Sequence, residues 1–192
     1  MNSSNSRCDW ANSDPLLQDY HDNEWCIPVH DDNEIFKWLN LEGQSAGLSW
    51  LLILKRKEKL CAAYADFDPS IVSKFDDKKV EELMETDGVI KHKLKVKAVI
   101  SNAQAFLKVK EEFGTFDKYI WQFVNFTPII NKWDSIDDIP SQSEISDKIS
   151  KDLKKRGFKF VGSTLVYSFM QAIGMVNDHL NSCPYKNHDN KK

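Results

Sequence analysis

Glycine and proline are scarce, 7 and 6 of 192 residues. That excludes a collagen-like or low-complexity chain. No apolar run approaches the ~20 residues needed to cross a bilayer, so no membrane partner is expected. The N-terminus, MNSSNSRCDW, lacks the apolar centre of a signal sequence, and the expectation is a cytoplasmic protein. An excess of one charge is also missing, since 26 basic residues face 29 acidic ones for a net charge of -3. A histone-like coat of positive charge is thereby excluded. Nucleic acid is not, because affinity depends on where the charge lies. Only four cysteines occur, Cys8, Cys26, Cys61 and Cys183. In a reducing compartment they read as thiols or metal ligands rather than disulfides. Internal repeats and linkers are absent as well.

What is present is a chain 41% apolar and long enough for one domain, or one domain with two lobes. Apolar residues recur at helical spacing. Helices are expected over Asn33–Leu41, Ser45–Ala63, a short one from Pro69, Lys78–Glu85 with Gly88 as its cap, and Lys91–Glu112. More follow over Thr115–Val124, Gln142–Arg156 and Gly162–Gly174. Strands are expected at most in Thr127–Asp134 or near the N-terminus, and no strand–helix alternation suggests a parallel sheet. The fold class is all-α.

Four constellations bear chemistry. His179 and Cys183 share one face if helical, and Cys8 and His21 stand near the other end. Two thiolates and two imidazoles suffice for a closed tetrahedral zinc site, which would staple the termini. The alternative is two buried thiols and two surface histidines. Cys26 and Cys61 have no partner at ligand spacing and read as core thiols.

In LKKRGFKFVG, residues 153–162, a helix runs into a basic stretch, Gly157 permits a left-handed turn, and Gly162 opens the next helix. Backbone N–H groups at that corner suit a phosphate, and Lys159 adds charge. Such a hairpin holds a DNA strand without reading bases. The plainer reading is a helix cap with a solvated basic face. The lysine runs at 55–59 and 91–97, with His92, read mainly as solvated faces.

Glu42 lies in an apolar stretch, so it either sits at a helix end in solvent or faces a pocket. With Tyr20, Trp25 and Trp50 it could form a slot for a flat, cationic heterocycle. Stacking and cation–π attraction would hold the face while the carboxylate accepts N–H groups at the edge. The alternative is that these rings are ordinary core.

The stretches YHDNEW (20–25), LEGQSAGLSW (41–50), GFKFVG (157–162), YSFMQAIG (167–174) and NDHLNSC (177–183) resemble the bacterial 3-methyladenine DNA glycosylase I family. The similarity runs in order from about Cys8 to Pro184. It implies a helix–hairpin–helix glycosylase fold and one structural zinc on Cys8, His21, His179 and Cys183. It implies a single domain over 1–192. The middle lobe would span about 33–150, and the terminal lobe about 8–32 plus 151–185, with flexible tails at 1–7 and 186–192.

The implied activity is hydrolytic removal of 3-methyladenine from alkylated double-stranded DNA by a monomer. Glu42 would recognise the lesion and act as the catalytic group, with Tyr20, Trp25 and Trp50 as pocket walls. The turn at Gly47 and Leu48 would enter the gap left by the flipped nucleotide. Gly157, Lys159 and Gly162 would grip the strand. Related glycosylases carry a catalytic aspartate where Asn177 stands here, and Asp178 is expected to serve instead as a cap or as a support beside the zinc.

Three positions depart from the family pattern. Leu17 stands where some members have a pocket tyrosine, while Cys26 and Asp9 replace common glycines. Two other readings compete: a relative that binds alkylated DNA without excising, and a purely structural protein in which the hairpin contacts another protein.

Overall fold

A computed structural model describes residues 7–187 of the chain. The tails at 1–6 and 188–192 lie outside the described residues. Nine α-helices carry the described fold: α1 (Pro15–Asn23), α2 (Asp32–Ser45), α3 (Trp50–Ala63), α4 (Pro69–Val72), α5 (Asp77–Glu85), α6 (Lys93–Phe113), α7 (Phe116–Trp121), α8 (Glu144–Lys155) and α9 (Ser163–Ala172). The class is all-α, as the apolar spacing implies.

Helix starts follow from local chemistry. Asp14, Asp31, Ser49, Asp68 and Asp76 each accept a hydrogen bond from a first-turn N–H, satisfying donors that the helix leaves open. Pro15 and Pro69 sit at first-turn positions where a missing N–H costs nothing. His92 and Thr115 cap α6 and α7, and Ser143 with Ser146 forms a reciprocal box on α8. Helix α9 alone opens on a glycine, Gly162, without a side-chain cap.

Helix α6 is the central rod. Its buried face carries Val96, Val99, Ala103, Phe106 and Val109. Phe106 stacks on Phe116 of α7 with ring centres 4.1 Å apart and meets Phe36 of α2 at 5.0 Å. Helix α2 is thereby fixed against α6 on one side and packs against α9 on the other. The polar residues it buries, Asn40, Glu42 and Gln44, therefore face protein interior or cavity rather than bulk water.

Several boundaries differ from the pattern-based expectation. The stretch Ser45–Ala63 is not one helix: Gly47 takes φ +73°, Leu48 N–H donates to Ser45 O, and Ser49 starts α3 anew. Helix α5 closes on Thr86, not Gly88. The expected strand region supplies β1 (Ile129–Ile130), but its partner β2 (Val176–Asn177) was not expected, and the pair is parallel. Two residues carry too little alternation to be read as a strand. His179 and Cys183 are not helical either. They lie on a turn after β2, which brings them together over the same spacing. Lys95, expected to be solvated within its lysine run, is buried at 4% exposure. Among the described residues no helix is long and apolar enough to cross a membrane.

Candidate active site and metal cluster

A cavity of about 470 Å³ opens between α1, the α2–α3 corner, α9 and the loop before α8. Tyr20, Trp25, Glu42, Leu48 and Trp50 all line it, so the expected pocket residues meet in space. The rings form a continuous wall. Tyr20 lies 5.3 Å from Trp50 and 5.5 Å from Trp38 between ring centres. Trp10 meets Trp25 edge-on at 5.0 Å. The Trp50 indole N–H is buried with no acceptor among the described residues.

Glu42 stands at the cavity from the last turns of α2. It is 5% exposed. Burial pushes its carboxyl up from 4.5 to about 8, and the Ser45 hydroxyl offsets only part of that. No basic side chain pairs with it among the described residues. The Tyr20 phenol is held well above its ordinary value, first by burial and then by the negative charge of Glu42. The site therefore holds an acid that is neutral near pH 7 but gains from any cation that enters.

Sequence reasoning missed part of the wall. Trp10, two residues after Cys8, faces the cavity, and its closeness in sequence to that candidate ligand was the available signal. Ile136, Ile139, Pro140 and Ser141 close the far side from an irregular loop without periodicity. Tyr167 and Gln171 of α9 complete the floor. Both also donate to Asp178, at 2.7 and 2.8 Å, and Asn131 and Trp133 donate to the other oxygen of that carboxylate. Asp178 is fully buried with both oxygens occupied.

Beside the cavity, Cys8, His21, His179 and Cys183 are all buried and bring their donor atoms within 4.8 Å of one another. Cys183 Sγ lies 3.6 Å from His21 Nε2 and 3.5 Å from His179 Nδ1, and Cys8 Sγ lies 3.9 Å from His179 Nδ1. A tetrahedral zinc with ordinary bond lengths sets sulfur–nitrogen edges of about 3.6 Å. The donor set fits. Cys183 is pulled strongly toward thiolate by its contacts with Cys8 and the two imidazoles, while Cys8 is pushed up by its contact with Cys183 and by burial.

The other nitrogen of His21 bonds Asp22 at 2.8 Å, and Arg7 grips the same carboxylate. Burial pushes that carboxyl up, but the Arg7 and His21 bonds outweigh it and hold it at about 2. A carboxylate behind a ligating histidine fixes the ring and its tautomer. Trp25 packs on both imidazoles, 4.7 Å from His179 and 5.8 Å from His21, and so joins the cluster to the cavity.

The third group lies between α8 and α9. Gly157 takes φ +96°, Phe158 and Val161 are buried, and Lys159 points out. Of the departures, Leu17 is buried at 9% exposure and Asp9 is exposed. Cys26 has φ +62°, a conformation that explains why glycine is common there. Its sulfur accepts the Asp178 N–H at 3.4 Å. Arg156, by contrast, is drawn from the basic run into internal pairs with Glu112 and Asp152.

A helical protein that offers an aromatic slot with one neutral acid is built to receive a single flat base outside its stack, as a DNA glycosylase does. A family model described as methyladenine glycosylase matches residues 10–187. DNA-3-methyladenine glycosylase 1 of Escherichia coli K12 is 45% identical over 177 residues, covering 92% of this chain and 95% of the relative. DNA-3-methyladenine glycosylase of Haemophilus influenzae is 41% identical over 181 residues, 94% and 98% of the two chains. A crystal structure of 3-methyladenine DNA glycosylase I superimposes with a TM-score of 0.91 at 46% identity, covering 93% of this chain and 98% of the other. The Staphylococcus aureus enzyme, solved to explain its recognition of 3-methyladenine, matches with a TM-score of 0.91 at 38% identity, over 93% and 95%. The chain belongs to the methyladenine glycosylase family.

Proposed function

We propose that this protein excises 3-methyladenine from alkylated double-stranded DNA as a monomer, with Glu42 and the ring wall doing the selecting. The observation that carries this reading is a buried carboxyl, raised to about 8 and without a basic partner among the described residues, in a cavity walled by aromatic rings. Methylation at N3 makes the base cationic while it is still attached to the sugar. A cation entering the slot gains the ring faces and favours release of the Glu42 proton to solvent, so an ion pair forms only when the lesion is present. Undamaged adenine is neutral and leaves Glu42 protonated.

The chemical step needs little help. The bond between the sugar and the base breaks with its electron pair leaving on the base, which departs neutral. Water adds to the sugar carbon and its proton passes to solvent. No strong general base is required, and Asp178 is not one. All four of its hydrogen bonds are spent on Asn131, Trp133, Tyr167 and Gln171.

DNA is gripped in a helix–hairpin–helix manner. The uncapped N-terminus of α9 at Gly162 and the Gly157 corner present backbone N–H groups to a phosphate, and exposed Lys159 adds charge. Leu48, 39% exposed beside Gly47, fills the space vacated by the flipped nucleotide. One zinc ion would be held by Cys8, His21, His179 and Cys183. With all four positions taken by protein, it would supply folding energy and no activated water. It would tie the segment before α1 to the turn after β2, behind Trp25.

The test is chromatography of the supernatant after incubation with methylated duplex DNA. Release of free 3-methyladenine is expected. Retention of damaged DNA without free base would replace the enzyme with a binding protein.

A further inference from the structure

The two segments assigned to DNA, the Gly47–Leu48 turn and the hairpin at 157–162, come from distant parts of the chain. A duplex is a rigid ruler, so a protein that fills a gap with one and grips a backbone with the other must hold them at a fixed separation. The usual cement for such a task is apolar packing. Here two buried polar side chains of α6, which the reading of the pocket leaves without a role, lie between them.

Lys95 is the first. It is 4% exposed and meets no carboxylate among the described residues. Its ammonium donates to Gln44 O at 2.8 Å and to Ala46 O at 2.6 Å. Those carbonyls belong to the end of α2 and the turn that follows, where helix carbonyls lack partners and attract a cation. Gln44 Nε2 returns a bond to Lys95 O at 3.3 Å. Burial lowers the Lys95 pKa, the cost of placing an ammonium here rather than in water. A methionine or leucine would fill the same space without that cost. The lysine makes sense if the shape of the turn matters.

Asn102 is the second, two helical turns along the same face. It is 3% exposed. It clasps the backbone of Lys159 at both ends, accepting from the N–H at 2.7 Å and donating to the C=O at 3.2 Å. It also donates to Asn40 Oδ1 of α2 at 3.0 Å. Helix α2 approaches the hairpin directly as well, since a Cβ on Gly43 would sit 3.4 Å from that of Phe160. One rigid helix thus holds the gap-filling turn through Lys95 and the strand-gripping hairpin through Asn102.

We propose that Lys95 and Asn102 are positioning residues: a polar ladder on α6 that sets the spacing between the Gly47–Leu48 turn and the hairpin, so that both engage one duplex. Neither side chain touches DNA. The inference rests on the reading that these two segments contact DNA, and it predicts a defect in duplex engagement that spares the base pocket.

The experiment is a double-mutant cycle on duplex binding. Lys95→Met and Leu48→Ala are made singly and together in the zinc-loaded protein. Affinity is measured by anisotropy for a duplex carrying a stable abasic-site analogue, at one salt concentration. Each single variant should bind about tenfold more weakly, and the double variant no worse than the weaker single, because Lys95 acts through the turn that carries Leu48. Binding of free 3-methyladenine, read by tryptophan fluorescence, should stay within about twofold in Lys95→Met.

Losses that multiply in the double variant, wild-type affinity in Lys95→Met, or an equal loss of base binding would each overturn the proposal. Should Lys95→Met fail to fold, Asn102→Ala against Lys159→Ala runs the same cycle at the other end of the ladder. Failure of both to fold would reduce the ladder to a stability element and also overturn it. Base release by the wild type is followed in parallel. Its absence with an intact cycle would sink the enzymatic reading and leave the ladder standing, whereas no duplex binding by the wild type would sink both.

Discussion

Glu42→Gln should make the protein more stable, in a way that depends on pH. The folded chain holds the carboxyl at about 8, against 4.5 in its ordinary setting, because the side chain is buried without a cation. The folded state therefore keeps a proton that the unfolded chain has already released. Below about pH 4.5 both states are protonated and the group has no effect. Stability then falls as pH rises through the span from 4.5 to about 8 and levels off above it.

At pH 7 the folded acid is mostly protonated and the unfolded one almost wholly ionised, which costs the native protein about 3 kcal/mol. Glutamine has nearly the same shape and never ionises, so the variant escapes the penalty. For a chain of this length that corresponds to a Tm higher by roughly 6–12 °C. Urea unfolding of both zinc-loaded proteins at pH 4.5, 7 and 8.5 measures it, and contributions from the other titrating groups cancel in the difference. An advantage for Glu42→Gln that is absent near pH 4.5 and grows toward pH 8.5 is expected. A difference flat with pH, or a less stable variant at pH 7, refutes the claim that this acid is stored unpaired.

The remaining expectations concern the Cys/His cluster and one departure from the family pattern. Cys183→Ser removes the donor that contacts both imidazoles, and bound zinc should fall from about one per chain as affinity drops more than ~10-fold. Elemental analysis after dialysis reads it, with a lowered Tm alongside, and full zinc content would remove Cys183 from the site. Cys26→Gly exchanges relief of roughly 1 kcal/mol of left-handed backbone strain for lost packing and the Asp178 N–H bond. Base release should persist and stability should change by no more than about 1 kcal/mol; loss of excision would give the thiol a role in the pocket.

The recognition side of the pocket was readable because it is local. Glu42 and Trp50 fall within ten residues, although the break between α2 and α3 was hidden in an apolar stretch whose spacing reads as one helix over Ser45–Ala63. The opposite wall was not readable. Ile136 and Ile139 sit on a loop that has no period, held at its base by Asn131 and Trp133 bonding to Asp178. The His179–Cys183 spacing suggested a helix because four residues make one turn, yet a non-helical turn after β2 closes the same distance. Lys95 illustrates a harder limit. In the run 91–97 every second residue is lysine, and nothing local separates the one that is buried from the three that are exposed. Only the packing of α2 on α6 selects it. Cys26 carried no sign of strain by itself; its left-handed backbone becomes visible only in the fold.

The central claim is that an acid stored neutral in the slot becomes the counter-charge of a cationic base. Release of 3-methyladenine from methylated duplex DNA, measured for wild type and Glu42→Gln as kcat/KM between pH 6 and 8.5, tests it most directly. The wild-type value should climb toward pH 8 as the free enzyme ionises Glu42. The variant should lie about a hundredfold lower at pH 8 and show no such climb, the expected cost of removing one partner of a buried charge pair. Equal excision by the two proteins, or the same pH profile in both, would contradict the account.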